Sequence, residues 1–146
     1  MNKYPLLIMF ILLALCWGVS RLYPLNFGWG VWGMAAGWII LLCGVSLLAV
    51  AFSLFLTKGT TVNPTKEPDK LVSEGIYRVT RNPMYLGMLL VLIGFPFLIE
   101  SVTGLIFSLL FFLIMDLSVI PREERVVEGV FGEEYRLYKL RTRRWI

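Results

Sequence analysis

The residues best equipped for chemistry lie in one segment, Gly75-Ile76-Tyr77-Arg78-Val79-Thr80-Arg81-Asn82-Pro83-Met84-Tyr85-Leu86-Gly87. Asn is a favoured helix N-cap and Pro a favoured first helical residue, so a helix is expected to begin at Asn82-Pro83. A helix start offers unpaired N–H groups and partial positive charge, which suits a carboxylate or a phosphate. Arg78 and Arg81, just before it, would strengthen such an anion seat. The bland reading is that both arginines snorkel to lipid headgroups, as basic residues at span ends often do.

A second polar island runs from Glu123-Glu124-Arg125 to Phe131-Gly132-Glu133-Glu134-Tyr135. Acidic residues after Pro121 suit the first turn of a helix. Neighbouring helical residues point about 100° apart, so only one of Glu123 and Glu124 is expected to face a site. Val127, Val130, Phe131, Tyr135 and Tyr138 recur at helical spacing and form an apolar, aromatic face, which also suits a helix lying on a bilayer. Asp116, inside an apolar run, reads either as a functional group or as the partner of a loop arginine. Histidine is absent, which removes the commonest general base and the commonest metal ligand, and no metal site is expected. Cys16 and Cys43 sit inside apolar runs and read as packing residues.

The elements that must position these groups are membrane helices. Of 146 residues, 58% are hydrophobic and 16% charged, against about 25% charged in a soluble domain. The net charge of +4 might suggest a nucleic-acid partner, but the basic residues alternate with greasy runs, the pattern of a membrane protein. Spans are expected at about 4–20, 29–57, 83–99 and 102–120, with a cytosolic loop at 58–82 and an amphipathic helix opened by Pro121 over 121–140. The fold class is therefore an all-α integral membrane bundle of four transmembrane helices plus a C-terminal amphipathic cytosolic helix, a single domain. Four crossings put both termini, and thirteen of the fourteen Lys and Arg residues, on the cytoplasmic side. The short chain leans towards a prokaryotic inner membrane. Gly33 and Gly37 supply the small-residue spacing that lets helices approach closely, within the chain or against a copy. Gly28-Trp29-Gly30-Val31-Trp32-Gly33 matches a dinucleotide fingerprint by letters, but it opens a membrane span rather than following a strand, and that reading is rejected.

Taken together, Leu71-Val72-x-x-Gly75-x-Tyr77-Arg78-x-x-Arg81-Asn82-Pro83-x-Tyr85-x-Gly87, then Glu123-Glu124, then Phe131-Gly132-x-x-Tyr135-x-x-Tyr138 resemble the isoprenylcysteine carboxyl methyltransferase-like membrane methyltransferases, relatives of the phospholipid N-methyltransferases. The resemblance spans Thr60 to about Arg141. It implies a helical bundle binding S-adenosylmethionine at its cytosolic face and methylating a lipophilic small molecule or lipid. By analogy Arg81 and Glu123 are the catalytic pair, and Tyr77, Arg78, Asn82, Pro83, Tyr85, Gly87, Glu124 and Tyr135 bind the cofactor. Asn82 stands where prenylcysteine members carry histidine, and Thr142-Arg143 where the family commonly continues Val-Pro. A carboxylate or thiolate acceptor fits a chain without histidine, with a lipid amine as the alternative acceptor. The competing class is a non-enzymatic membrane scaffold, which would tolerate substitution at Arg81 and Glu123.

Overall fold

The computed structural model describes residues 4–58 and 71–146. The stretch of the expected loop that contains Pro64 and Pro68 lies outside them. The described chain is helical, without strands. Helix α1 is Tyr4–Leu22, α2 is Gly30–Lys58 and α3 is Pro83–Leu98. Helix α4 is Leu105–Ile114, a π-helical segment is Met115–Val119, α5 is Ile120–Phe131 and α6 is Glu133–Arg141. Three stretches are long and apolar enough to cross a membrane: Tyr4–Leu22, Gly30–Leu54 and Val102–Phe131. Helix α3 is equally apolar but has 16 residues, about 24 Å of helix against a hydrocarbon core of about 30 Å. Of the four spans expected, three therefore have full length.

Helices α2 and α3 pack through glycine. A Cβ on Gly44 would lie 2.8 Å from the Gly87 carbonyl oxygen, and one on Gly94 would lie 2.9 Å from that of Gly37. Side chains at these four positions would force the backbones apart, so only hydrogen fits. Gly37 pairs within the chain, as the sequence allowed. Its companion on α2 is Gly44, however, whereas Gly33 faces the side chain of Trp29 in its own turn.

Two prolines sit inside the helices, and each orphaned carbonyl finds a side-chain donor. Pro96 cannot donate to the Leu92 carbonyl four residues earlier, and the Ser108 hydroxyl of α4 donates to that oxygen at 2.8 Å. Pro121 does not open a new helix, contrary to the sequence expectation: α4, the π segment and α5 are continuous, and the break comes at Gly132. The reason lies in the π register, in which the Ile120 N–H bonds the Met115 carbonyl five residues back. In that register Pro121 would serve the Asp116 carbonyl and cannot. Arg144 Nη1 reaches the same oxygen at 3.4 Å. Gly132 then takes φ 53° and ψ −119°, a conformation essentially closed to other residues.

Away from these groups, the two tight turns hold each other. The Val102 N–H donates to the Leu25 carbonyl at 2.9 Å, the Ser20 hydroxyl to Ser101 Oγ at 2.6 Å, and Phe27 stacks on both Trp29 and Phe97, which also touch each other. The core where α1, α3, α4 and α5 meet includes Met9, Leu12, Tyr85, Met88, Leu92, Phe111, Met115 and Ile120. Tyr85 thus anchors the polar cluster at one end of the bundle to its apolar centre.

Candidate active site at the start of helix α3

Helix α3 starts at Pro83, as its Asn-Pro pair predicts, but Asn82 does not cap it with its side chain. Just before the helix, the hydroxyl oxygen of Thr80, which is fully buried, accepts the Asn82 N–H at 3.1 Å. The Asn82 amide is turned to the chain's last residues and donates to the Arg144 carbonyl at 3.0 Å. The Thr80 hydroxyl donates to the same oxygen at 3.1 Å, and the Arg81 N–H to the Arg143 carbonyl at 2.9 Å. Residues 142–145 thus form a strap across the α3 start. Part of the anion seat expected there is taken by the chain's own carbonyl oxygens.

Arg81 lies beneath the strap. Its Nη1 donates to the carbonyls of Lys139 at 3.1 Å and Thr142 at 2.7 Å, where the end of α6 concentrates partial negative charge. Its Nη2 pairs with Glu124 Oε1 at 2.9 Å, both side chains being 12% exposed. Glu124 Oε2 pairs with Arg144 Nη2, also at 2.9 Å, and Arg144 Nη1 with Asp116 Oδ1 at 3.0 Å. The indole N–H of Trp145 donates to the same Asp116 oxygen. Asp116, left open between two roles by the sequence, is the partner of a tail arginine.

Glu123 is turned elsewhere. The Tyr85 hydroxyl lies 2.7 and 2.8 Å from its two carboxylate oxygens and donates to them. Both adjacent glutamates therefore face inward, one to arginines and one to a phenol, and neither is the solvent-facing member expected. Arg81 and Glu123, the pair suggested by resemblance, do not pair with each other: Arg81 takes Glu124.

Three more tyrosines close the cluster. The Tyr138 hydroxyl donates to the Tyr77 carbonyl at 2.6 Å, and the Tyr135 and Tyr138 rings lie 6.0 Å apart. Burial pushes the Tyr138 phenol up to about 12 and holds those of Tyr77 and Tyr135 higher still. All three stay protonated donors near neutral pH. Lys139 Nζ lies 5.7 Å above the Tyr135 ring, within cation–π range.

Of the residues singled out from sequence, Tyr77, Arg81, Asn82, Pro83, Tyr85, Glu123, Glu124 and Tyr135 gather at this end of the bundle. Two do not. The Arg78 side chain is exposed, and only its backbone carbonyl meets the strap, through Thr142. Gly87 faces α2, where an added Cβ would meet Leu48 Cγ at 2.7 Å and the Gly44 oxygen at 2.9 Å. Its small size thus serves helix packing. Sequence reasoning missed Thr80, Thr142, Arg144 and Trp145. The available signal was Asp116, an acid in an apolar helix that needed a cation, with basic residues at 143 and 144 to supply one.

The phospholipid methyltransferase family matches residues 32–134, and the chain belongs to that family. An uncharacterized protein of Haemophilus influenzae is 36% identical over 63 residues, which are 43% of this chain and the whole of that relative.

Proposed function

We propose that this chain uses S-adenosylmethionine to methylate a lipophilic acceptor reached from the bilayer, with a lipid amine as the acceptor chemistry the site favours. The observation that carries the reading is the contrast between Glu123 and Glu124. Glu124 is spent between two arginines, whereas the hydrogen-bond donor that Glu123 has among the described residues is the neutral Tyr85 hydroxyl. A half-buried carboxylate held by a phenol is suited to an ammonium group.

The residues fit S-adenosylmethionine as well. The tyrosine faces suit its adenine and sulfonium. When bound, that cofactor supplies an electrophilic methyl group. The chain's own part is to orient the acceptor, exclude water and handle the proton. An amine must lose a proton before its lone pair can take a methyl group. Glu123 is placed to accept it, with Tyr85 fixing the carboxylate's direction. The preference for a carboxylate or thiolate acceptor, as in the isoprenylcysteine carboxyl methyltransferase-like enzymes, rested on the absence of histidine, since such an acceptor needs no base, with Arg81 to hold the anion. Both Arg81 Nη atoms are committed to Glu124, Lys139 and Thr142, which weakens that reading.

The orientation we propose has both termini in the cytoplasm of a prokaryotic cell, with the cluster facing cytosolic cofactor. The test is methyl transfer from labelled S-adenosylmethionine into a lipid extract by the purified protein in detergent. A base-stable labelled lipid supports the amine. Base-labile label returns the reading to a carboxyl acceptor, and no label with well-folded protein favours a scaffold.

A further inference from the structure

Helix α2 continues well past the level at which α3 begins. Gly44 lies against Gly87 and Gly37 against Gly94, and the two pairs are seven residues apart on each helix. The axes therefore run antiparallel and keep one register over about two turns. Continued to the start of α3, that register sets Ala49 level with Asn82. From Ala49, α2 runs on to Lys58, nine residues or about 13 Å of helix. Residues 50–56 carry no charge, and Val50, Phe52 and Leu56 are exposed. The Ser53 hydroxyl donates within its own helix, to the Val50 carbonyl. Such a surface suits hydrocarbon rather than water, and it extends about 10 Å beyond the start of α3.

The far side of the cluster has the same character. Leu117, next to Asp116, is 70% exposed, and no basic residue follows until Arg122. The strap lies level with both helices, because Arg144 accepts the Asn82 amide on its carbonyl and gives its guanidinium to Asp116. Irregular backbone is tolerated at membrane depth only where protein satisfies it. The Arg143 and Arg144 carbonyls both have protein donors. Arg143 is exposed, and its long stem can carry its charge up to water. The chain comes down to this level along α2: Gly75 lies against Leu54, five residues above Ala49. Glu123 is held at the foot of that descent by Tyr85, whose side chain leans back towards the helix start at Asn82.

We propose that the Glu123 site lies about 10 Å inside the hydrocarbon edge, and that its acceptor is a lipid amine with a compact head. The nitrogen of such a lipid is borne on the hydrocarbon chain or within a few bonds of it. The proposal rests on the functional reading above and deepens it. A phosphoethanolamine headgroup carries its amine outside its phosphate, away from the hydrocarbon. To bring that nitrogen to Glu123, the phosphate would have to sink among the acyl chains, where a charge is costly. An amine borne on the chain need move only its own nitrogen. Its charged form is disfavoured at that depth, so it gives up its proton more readily there than at the surface.

The experiment uses the protein in nanodiscs of dioleoyl phosphatidylcholine, a host lipid whose nitrogen is already fully methylated. The first arm reads depth. Nitroxide labels are introduced through Leu117→Cys and Val50→Cys, with Arg125→Cys as the reference in water. The background keeps buried Cys16 and replaces Cys43 by alanine. Relaxation by oxygen, against that by a water-soluble nickel complex, should put positions 117 and 50 about 10 Å inside the hydrocarbon edge. Labels at both positions that sit level with the lipid phosphates overturn the proposal. The second arm compares kcat/KM for oleylamine and dioleoyl phosphatidylethanolamine with labelled S-adenosylmethionine. Oleylamine should be favoured by about tenfold or more. Equal values, or a preference for phosphatidylethanolamine, overturn the compact-head acceptor and leave the functional reading intact. Methyl transfer to neither lipid by well-folded protein sinks the functional reading, and the proposal with it.

Discussion

Glu124 sits between Arg81 and Arg144, 2.9 Å from each, with 12% of its side chain exposed. Removing a partner from a buried pair leaves the other charge stranded, which typically costs about 3–5 kcal/mol. Glu124→Ala should therefore lower stability by about 3 kcal/mol in a thermal melt, and methyl transfer should fall because Arg81 loses its anchor. Glu123→Gln should behave in the opposite way. It keeps the shape and a hydrogen-bond acceptor for Tyr85, so the melt should change little while turnover drops about a hundredfold or more. Equal melting losses in the two variants would contradict this division of labour. Tyr138 gives a pH prediction. Burial raises its phenol to about 12 in the folded state, so the stabilisation it represents is complete below about pH 10. That stabilisation is lost as pH rises through about 12. Absorbance at the phenolate band should show one tyrosine fewer ionising near pH 10 in denatured Tyr138→Phe than in denatured wild type, and no difference near pH 10 between the two folded proteins. Sequence alone named both glutamates and Arg81, because charges between apolar runs stand out. It could not show that Glu124 is the one that meets Arg81, because adjacent residues on one helix meet partners chosen by the packing of α3, α6 and the strap, which no local spacing encodes.

At the scale of elements, the α2–α3 contact has the least tolerance. A Cβ on Gly44 would meet the Gly87 oxygen at 2.8 Å and the Val91 nitrogen at 2.9 Å, and backbone atoms cannot step aside as a flexible side chain can. Gly44→Ala should cost about 1–3 kcal/mol, read by thermal denaturation. Gly18→Ala, where nothing lies within 4 Å, is the matched control and should leave the melt nearly unchanged. Gly132→Ala tests the elbow between α5 and α6. With φ 53° at that position, strain of about 1–3 kcal/mol is expected, and Tyr135 would be displaced with α6. The helices themselves were legible, because their apolar runs and the Asn82-Pro83 start are local signals. The continuity through Pro121 was not, since it depends on a π turn whose vacant Asp116 carbonyl is met by Arg144, 28 residues away. Glycine spacing pointed to Gly33 and Gly37, yet a heptad partner at Gly44 was needed to match Gly87 and Gly94 across the crossing.

At the scale of the molecule, the strap ties the end of the described chain to the start of α3. Orientation in the bilayer is tested with an impermeant thiol reagent on variants that keep buried Cys16 and replace Cys43 by alanine. A cysteine at Arg141 should label only from the cytosolic side, and one at Leu25 only from the opposite side; the reverse pattern would invert the proposed topology. The strap has one more consequence, for biosynthesis. Arg81 and Asn82 emerge from the ribosome 58 to 62 residues before the carbonyls of Lys139, Thr142 and Arg144 that receive them. The first three helices can enter the membrane, and α2 and α3 can pair through their glycines, while Arg81 still has no acceptor from α6. This end of the bundle is thus completed only once residues 139–144 have been made, and a nascent chain stalled before residue 139 would sit in the bilayer without the acceptors that hold Arg81 and Asn82.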